Sequence, residues 1–183
     1  MARYRSPRVS ELHGKPGRDD ASWQTRGYFG VGIEGGSKAM NVGAIFRTAH
    51  AFGASFLFSV ALHKNVRRVR SDTAGSVAHI PYHEWDSVED LALPKACRLV
   101  GVELSDAAVD LPAFRHPLSA AYLFGPERGV LSDDALERCH AIVQIPARFC
   151  VNVSVAAGIV VYDRMLSLGA FAERPAKYGI VEK

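Results

Sequence analysis

The chain has 183 residues, 48% of them hydrophobic and 22% charged, which places it with single globular domains and excludes general disorder. No run approaches the ~20 apolar residues that span a bilayer, and the arginine-bearing start MARYRSPRVSEL lacks the apolar core of a secretory signal. The net charge of +3 sits entirely in the first 28 residues, where six basic side chains (Arg3, Arg5, Arg8, Lys15, Arg18, Arg26) face three acidic ones (Glu11, Asp19, Asp20).

In chain order, residues 1–27 read as a basic arm and 28–183 as one body. Arms of this composition serve as phosphate contacts or as solvated tails. Tyr28–Glu34 reads as a first strand and Gly35-Gly36-Ser37 as a turn with Ser37 available as an N-cap. A helix then runs to about Phe52, with Val42, Ile45, Phe46 and Ala49 forming its apolar stripe. Ser55–Val60 is continuously apolar, as in a strand buried on both faces. A basic cluster (Lys64, Arg67, Arg68, Arg70) opens a helical stretch that closes near Gly75.

Next come a strand at His79–Tyr82, a small helix at Ser87–Leu93 and a strand at Arg98–Glu103. A polar connection leads to a strand at Ala121–Phe124, a helix at Leu131–Cys139, a strand at Ala141–Ile145 and a long helix at Val153–Leu168. About six strands alternating with helices predict a three-layer α/β fold around a mostly parallel sheet, with its chemistry beyond the carboxyl ends of the strands. Cys97, Cys139 and Cys150 are odd in number and set in apolar strings, which predicts reduced thiols in a cytoplasmic protein and neither a disulfide framework nor a zinc site. No histidine pairs at metal-ligand spacing, so no metal is expected.

Three segments at strand ends concentrate glycine, asparagine and isolated charge. Asn41–Ala49 (NVGAIFRTA) sets Arg47 four residues after Gly43, on one helical face, where a guanidinium beside a side-chain gap suits an anion; an ordinary surface arginine fits as well. Leu123–Gly129 (LFGPERG) forms a glycine- and proline-stiffened loop with Glu127 at its tip, or an ordinary strand-to-helix turn. Ile145–Gly158 ends a strand at Pro146, offers Asn152 or Ser154 as a helix cap and continues in small residues that permit close backbone approach. Gly30-Val31-Gly32 lies within the first strand, which weakens a dinucleotide-binding reading, and no Walker or Gly-x-Ser-x-Gly motif is present.

In this order the three segments resemble the three signature motifs of the SpoU (TrmH-like) branch of the SPOUT RNA methyltransferases. Asn41-x-Gly43-x-x-x-Arg47-Thr48-Ala49 followed by Phe52-Gly53 resembles the first. Leu123-Phe124-Gly125-Pro126-Glu127-x-Gly129-x-Leu131-Ser132 resembles the second, and Ile145-Pro146 with Asn152-Val153-Ser154-Val155-Ala156-Ala157-Gly158 the third. The resemblance implies a deep C-terminal trefoil knot, a homodimer, S-adenosylmethionine as cofactor, and methylation of a ribose 2′-hydroxyl in tRNA or rRNA. It further implies cofactor contacts made largely by backbone groups of Leu123, Phe124, Gly125, Ile145 and Val153, with contributions near Val102 and Glu103 and at Cys150. Arg47, Asn41, Glu127 and Asn152 match the family's functional polar positions.

At its matching position Glu127 is expected to fix its loop and pair with a cation, Arg47 or one from a second subunit. RNA is expected to be held by Arg47, by the Lys64, Arg67, Arg68 and Arg70 cluster, and by Arg3, Arg5 and Arg8 of the arm. Two features depart from the family pattern. Cys150 stands where many members carry serine, and the loop before Asn152 is about three residues shorter. A catalytically inactive RNA-binding module and a nucleotide-binding α/β oxidoreductase are the alternative readings.

Overall fold

A computed structural model of the chain describes residues 27–64, 66 and 76–169. Its elements are β1 (Tyr28–Glu34), α1 (Ala39–Ala51), β2 (Phe56–Val60), α2 (Ser76–His79), β3 (Tyr82–Trp85), β4 (Arg98–Val102), β5 (Val109–Asp110), β6 (Ser119–Phe124), α3 (Asp133–Arg138), β7 (Ala141–Gln144) and α4 (Val153–Leu168), with a 3₁₀ turn at Leu111–Ala113. The strands form one seven-stranded sheet in the order β3-β2-β1-β6-β4-β7-β5, and all of its pairings are parallel. Among the described residues, no helix is long and apolar enough to cross a membrane.

Side-chain alternation along β1 decides how the sheet is covered. Phe29, Val31 and Ile33 face the layer of α1 and α4, where they join Val42, Ile45, Phe46, Ala49, Ala157, Val160 and Val161 in the larger apolar core. Gly30 and Gly32 face the other way, beneath the rings of Phe56 and Phe58. A β-carbon at Gly30 would lie 2.2 Å from the Phe56 ring, and one at Gly32 2.4 Å from the Phe58 ring. Those glycines are therefore packing residues of a central strand. The second core (Phe56, Phe58, Val60, Leu91, Leu99, Leu123, Leu131) closes this face with α3 and the 86–97 connection.

Several boundaries differ from the sequence expectation. The sheet has seven strands because Val109–Asp110, a two-residue strand inside the polar connection, pairs with β7; two residues carry no periodicity. The strand expected at His79–Tyr82 begins at Tyr82, because Pro81 has no amide hydrogen to donate and offers only its carbonyl, to the Leu57 N–H. Ser87–Leu93 is a turn and not a helix. Its carbonyls at Val88, Glu89 and Leu91 accept from the Arg138 guanidinium, which removes acceptors that a helix would use internally. β6 begins at Ser119, two residues early, since Ser119 and Ala120 pair with Tyr28 and Phe29. The arm, Arg67, Arg68, Arg70 and the stretch closing at Gly75 lie outside the described residues.

A buried polar network bolts α4 to the amino-terminal end of β6. The guanidinium of Arg164, fully buried, donates to the carbonyls of Pro117 (2.7 Å) and Leu118 (2.9 Å) and to the Tyr122 hydroxyl (2.9 Å), and it lies over the Phe29 ring at 5.0 Å. Arginine only donates, so the Tyr122 oxygen accepts from it and its own hydrogen goes to His116 Nδ1 at 2.6 Å. That assigns the His116 proton to Nε2, which faces Asp163 Oδ2 at 2.9 Å. Burial pushes the Tyr122 hydroxyl up to about 12, opposed by Arg164, so it remains a donor.

Candidate active site

The carboxyl ends of β4, β6 and β7 lie side by side in the sheet, and the loops leaving them wall a cavity of about 410 Å³. Val102, Glu103 and Leu104 come from the end of β4, Phe124 to Glu127 from the end of β6, and Gln144 and Ile145 from the end of β7. Lys38 and Asn41 at the start of α1, and Asn152, Val153 and Ala156 at the start of α4, complete it. Parallel strands with helices returning on the faces leave their binding crevice at this end.

Glu127 joins the second motif loop to the first. Its Oε2 accepts from the Ser37 N–H (3.1 Å) and the Ser37 hydroxyl (2.9 Å), and its Oε1 accepts from the Lys38 N–H (3.0 Å). The N-cap of α1 is Lys38, which has no side-chain cap of its own, so Ser37 is not the cap anticipated from sequence. A carboxylate from 89 residues further along the chain takes the cap's place at the positive end of the helix. Partial burial pushes the Glu127 carboxyl up, but the donors at Ser37 and Lys38 outweigh it, so it lies below its usual value. No cation pairs with it within the described chain.

The third motif meets the first through asparagines. Asn152 caps α4, its Oδ1 accepting from the Ser154 N–H (2.9 Å) and hydroxyl (2.6 Å), while its Nδ2 donates to Oδ1 of the buried Asn41 at 3.4 Å. Glu103 belongs to the same wall, its Oε1 accepting from the Leu104 N–H and its Oε2 from the Leu131 N–H, each at 2.9 Å. Below the site, Glu34 at the end of β1 is buried and accepts from the Ser132 N–H (2.9 Å) and hydroxyl (2.5 Å), fixing the start of α3.

Of the residues singled out in the sequence, Asn41, Val102, Glu103, Phe124, Gly125, Glu127, Ile145, Cys150, Asn152 and Val153 line the cavity. Leu123 does not; its side chain is fully buried in the second core, on the far face of β6. Arg47 is exposed and outside the wall, six residues and about 9 Å of helix beyond Asn41. Lys64 is exposed, whereas Arg3, Arg5, Arg8, Arg67, Arg68 and Arg70 fall outside the described residues. Lys38, Leu104, Gln144 and Phe149 line the cavity without having been singled out. Phe149 lies inside the third segment, between Arg148 and Cys150 in a mostly apolar loop, where nothing in the sequence set it apart; the other three carried no signal either. No cluster of metal-ligating side chains occurs among the described residues.

A profile of the SpoU rRNA Methylase family matches residues 29–162. The tRNA (guanosine(18)-2′-O)-methyltransferase of Escherichia coli (strain K12) is 28% identical over 132 residues, 69% of this chain and 58% of that protein. An uncharacterized tRNA/rRNA methyltransferase of Archaeoglobus fulgidus is 36% identical over 134 residues, 67% of this chain and 57% of that protein. Among solved structures, an AdoMet-bound rRNA methyltransferase from Sinorhizobium meliloti superposes with a TM-score of 0.67 at 25% identity, covering 78% of this chain and 57% of that one. The chain thus spans less than two thirds of the length of the curated relatives it matches. With its three motif loops drawn together around one cavity, this chain belongs to the SpoU methylase family.

Proposed function

We propose that the protein is an S-adenosylmethionine-dependent methyltransferase acting on a ribose 2′-hydroxyl of tRNA or rRNA. The observation that carries this reading is the convergence of Asn41, Glu127 and Asn152, one from each motif, on a single cavity. The walls fit the cofactor. Val102, Leu104, Ile145 and Val153 offer apolar contact for a flat base, and Glu103 and Asn41 keep acceptor capacity for hydroxyl groups. At Gly125 a β-carbon would stand 3.2 Å from both Glu103 Oε2 and the Leu131 nitrogen, so this strand end leaves its backbone bare to the cavity. When bound, the cofactor supplies an electrophilic methyl group.

The chain's own residues then have positioning work, which contributes ~7–11 kcal/mol in favourable intramolecular cases. Arg47, exposed and without a carboxylate partner among the described residues, binds the phosphate next to the target ribose and stabilises alkoxide charge as it develops. A guanidinium with pKa above ~12 is not the base, so the proton leaves to phosphate or solvent. Asn41, held by Asn152, orients the site, and Glu127 keeps the loop and the start of α1 in register.

The finer architecture belongs to the same proposal. Residues 1–27 form an RNA-contacting arm on a methyltransferase body of residues 28–183, located in the cytoplasm. A C-terminal trefoil knot is supported by the path after β7: the chain leaves the sheet three strands from β1, yet α4 packs against α1. A homodimer is supported by an exposed apolar stripe on α4, Val155, Ile159, Tyr162 and Leu166, spaced at helical intervals. The test is methyl transfer from labelled S-adenosylmethionine to total RNA from a strain lacking the gene, with ribose methylation mapped. Arg47→Ala is expected to abolish turnover with cofactor affinity nearly intact; unchanged turnover rejects the assignment.

A further inference from the structure

Phe149 lines the cavity and is 76% exposed, an unusual position for a phenyl ring in a closed α/β domain. It follows Arg148, whose guanidinium carbon lies 5.6 Å from the ring centroid, so a flat apolar face and a cation are presented together from the loop after β7. The rest of the mouth has the same character. Leu104 and Val151 are exposed apolar residues of the wall, Lys38 is an exposed cation of the wall, and Arg128 is exposed in the adjoining loop.

None of these cations has a carboxylate partner among the described residues. The two carboxylates of the wall, Glu103 and Glu127, are engaged by N–H donors, Glu127 also by the Ser37 hydroxyl. Both carboxylates keep their charge, so the three cations Lys38, Arg128 and Arg148 exceed them by one and leave the opening positive, beside an outward-facing ring. A splayed nucleotide matches this pairing, since its base stacks on an aromatic face and its phosphate takes a guanidinium.

We propose that Phe149 and Arg148 seat the nucleotide to be modified, Phe149 against its base and Arg148 on its phosphate, on the outward side of the cavity mouth. The inference rests on the function proposed above and assigns its substrate side to this loop. The seat positions the ribose and takes no part in bond making.

The test uses the full-length protein with Phe149→Ala, Phe149→Tyr and Phe149→Trp. Phe149→Ala is expected to raise the Kd for a short oligoadenylate and the KM for total RNA about tenfold or more, the range of an aromatic–base stack. The Kd for S-adenosylmethionine should stay within about twofold, with Tm and solution mass unchanged. Phe149→Tyr should restore both RNA readouts, and oligoadenylate should quench the added emission of Phe149→Trp. Three results overturn the seat: unaltered RNA parameters, a parallel loss of cofactor affinity that places the ring on the cofactor, or dissociation into monomers that makes it an interface residue. A wild-type protein that binds oligoadenylate through Phe149 but transfers no methyl group would instead defeat the proposed activity and leave the seat standing.

Discussion

The two ends of the sheet handle polar groups in opposite ways. At the amino-terminal end, Arg164, Tyr122 and His116 are buried and spend their hydrogen bonds on one another, on two backbone carbonyls and on Asp163. At the carboxyl end, Glu127, Glu103 and Asn152 use their oxygens to hold loops, while Lys38, Arg128 and Arg148 remain exposed without carboxylate partners among the described residues. A closed network stabilises and specifies, because a buried group that loses its partner costs more than the bond itself. An open one leaves donors and charge for a ligand. The contrast separates what holds this fold together from what it presents to a substrate.

Removing the guanidinium should break the closed end most severely. Arg164→Ala strips donors from Pro117, Leu118 and the Tyr122 hydroxyl and leaves a void over Phe29. It is expected to cost about 3–5 kcal/mol, because three acceptors lose a charged donor and the large-to-small change leaves a cavity. Chemical denaturation measures it, and a loss below about 1 kcal/mol would show that the network is dispensable.

The open end answers to a different change. Gly125→Val puts side-chain atoms where a single β-carbon already lies 3.2 Å from Glu103 and Leu131, at the cavity wall. S-adenosylmethionine affinity is expected to fall at least tenfold, about 1.4 kcal/mol, with a smaller change in denaturation midpoint. Calorimetry that finds the affinity intact would move the cofactor away from this strand end.

The smallest effect is the response to acid, which probes both ends in separate windows. Burial holds His116 below its usual 6.5, against the pull of Asp163, so the folded state takes up its proton later than the unfolded chain. Stability from this group is present above about pH 6.5 and is lost as pH falls from there through the folded value. For Glu127 the corresponding loss begins below its usual 4.5. Denaturation midpoints from pH 8 to 3 should show two declines, the upper one absent in His116→Gln and the lower one reduced in Glu127→Gln, where Glu89, also held below its usual value by its hydrogen bond from Ser87, still contributes. A midpoint that rises between pH 6.5 and 5.5 in the wild type contradicts the sign for His116.

The candidate site was legible in sequence where contiguous residues carry it. Asn41, Gly125, Glu127 and Asn152 stand inside short motifs whose glycines, proline and cap residues also build the loops. Leu123 was expected to meet the cofactor through its backbone; alternation in β6 turns its side chain into the core, which the motif alone did not record. Arg138 claims the carbonyls of the 88–91 turn from 47 to 50 residues away. No local pattern records such a contact, so a helix was anticipated there.

By itself the sequence determined the parallel α/β class, the long helices and the loops that bear the chemistry, because each follows from periodicity, cap residues and backbone restriction within a few positions. Only the tertiary structure decided that Glu127 would cap α1, that Arg164 would lock α4 to β6 and that Phe149 would stand exposed at the cavity mouth. Those outcomes depend on which strands become neighbours in the sheet, and strand order is set by the burial of whole faces rather than by any one segment.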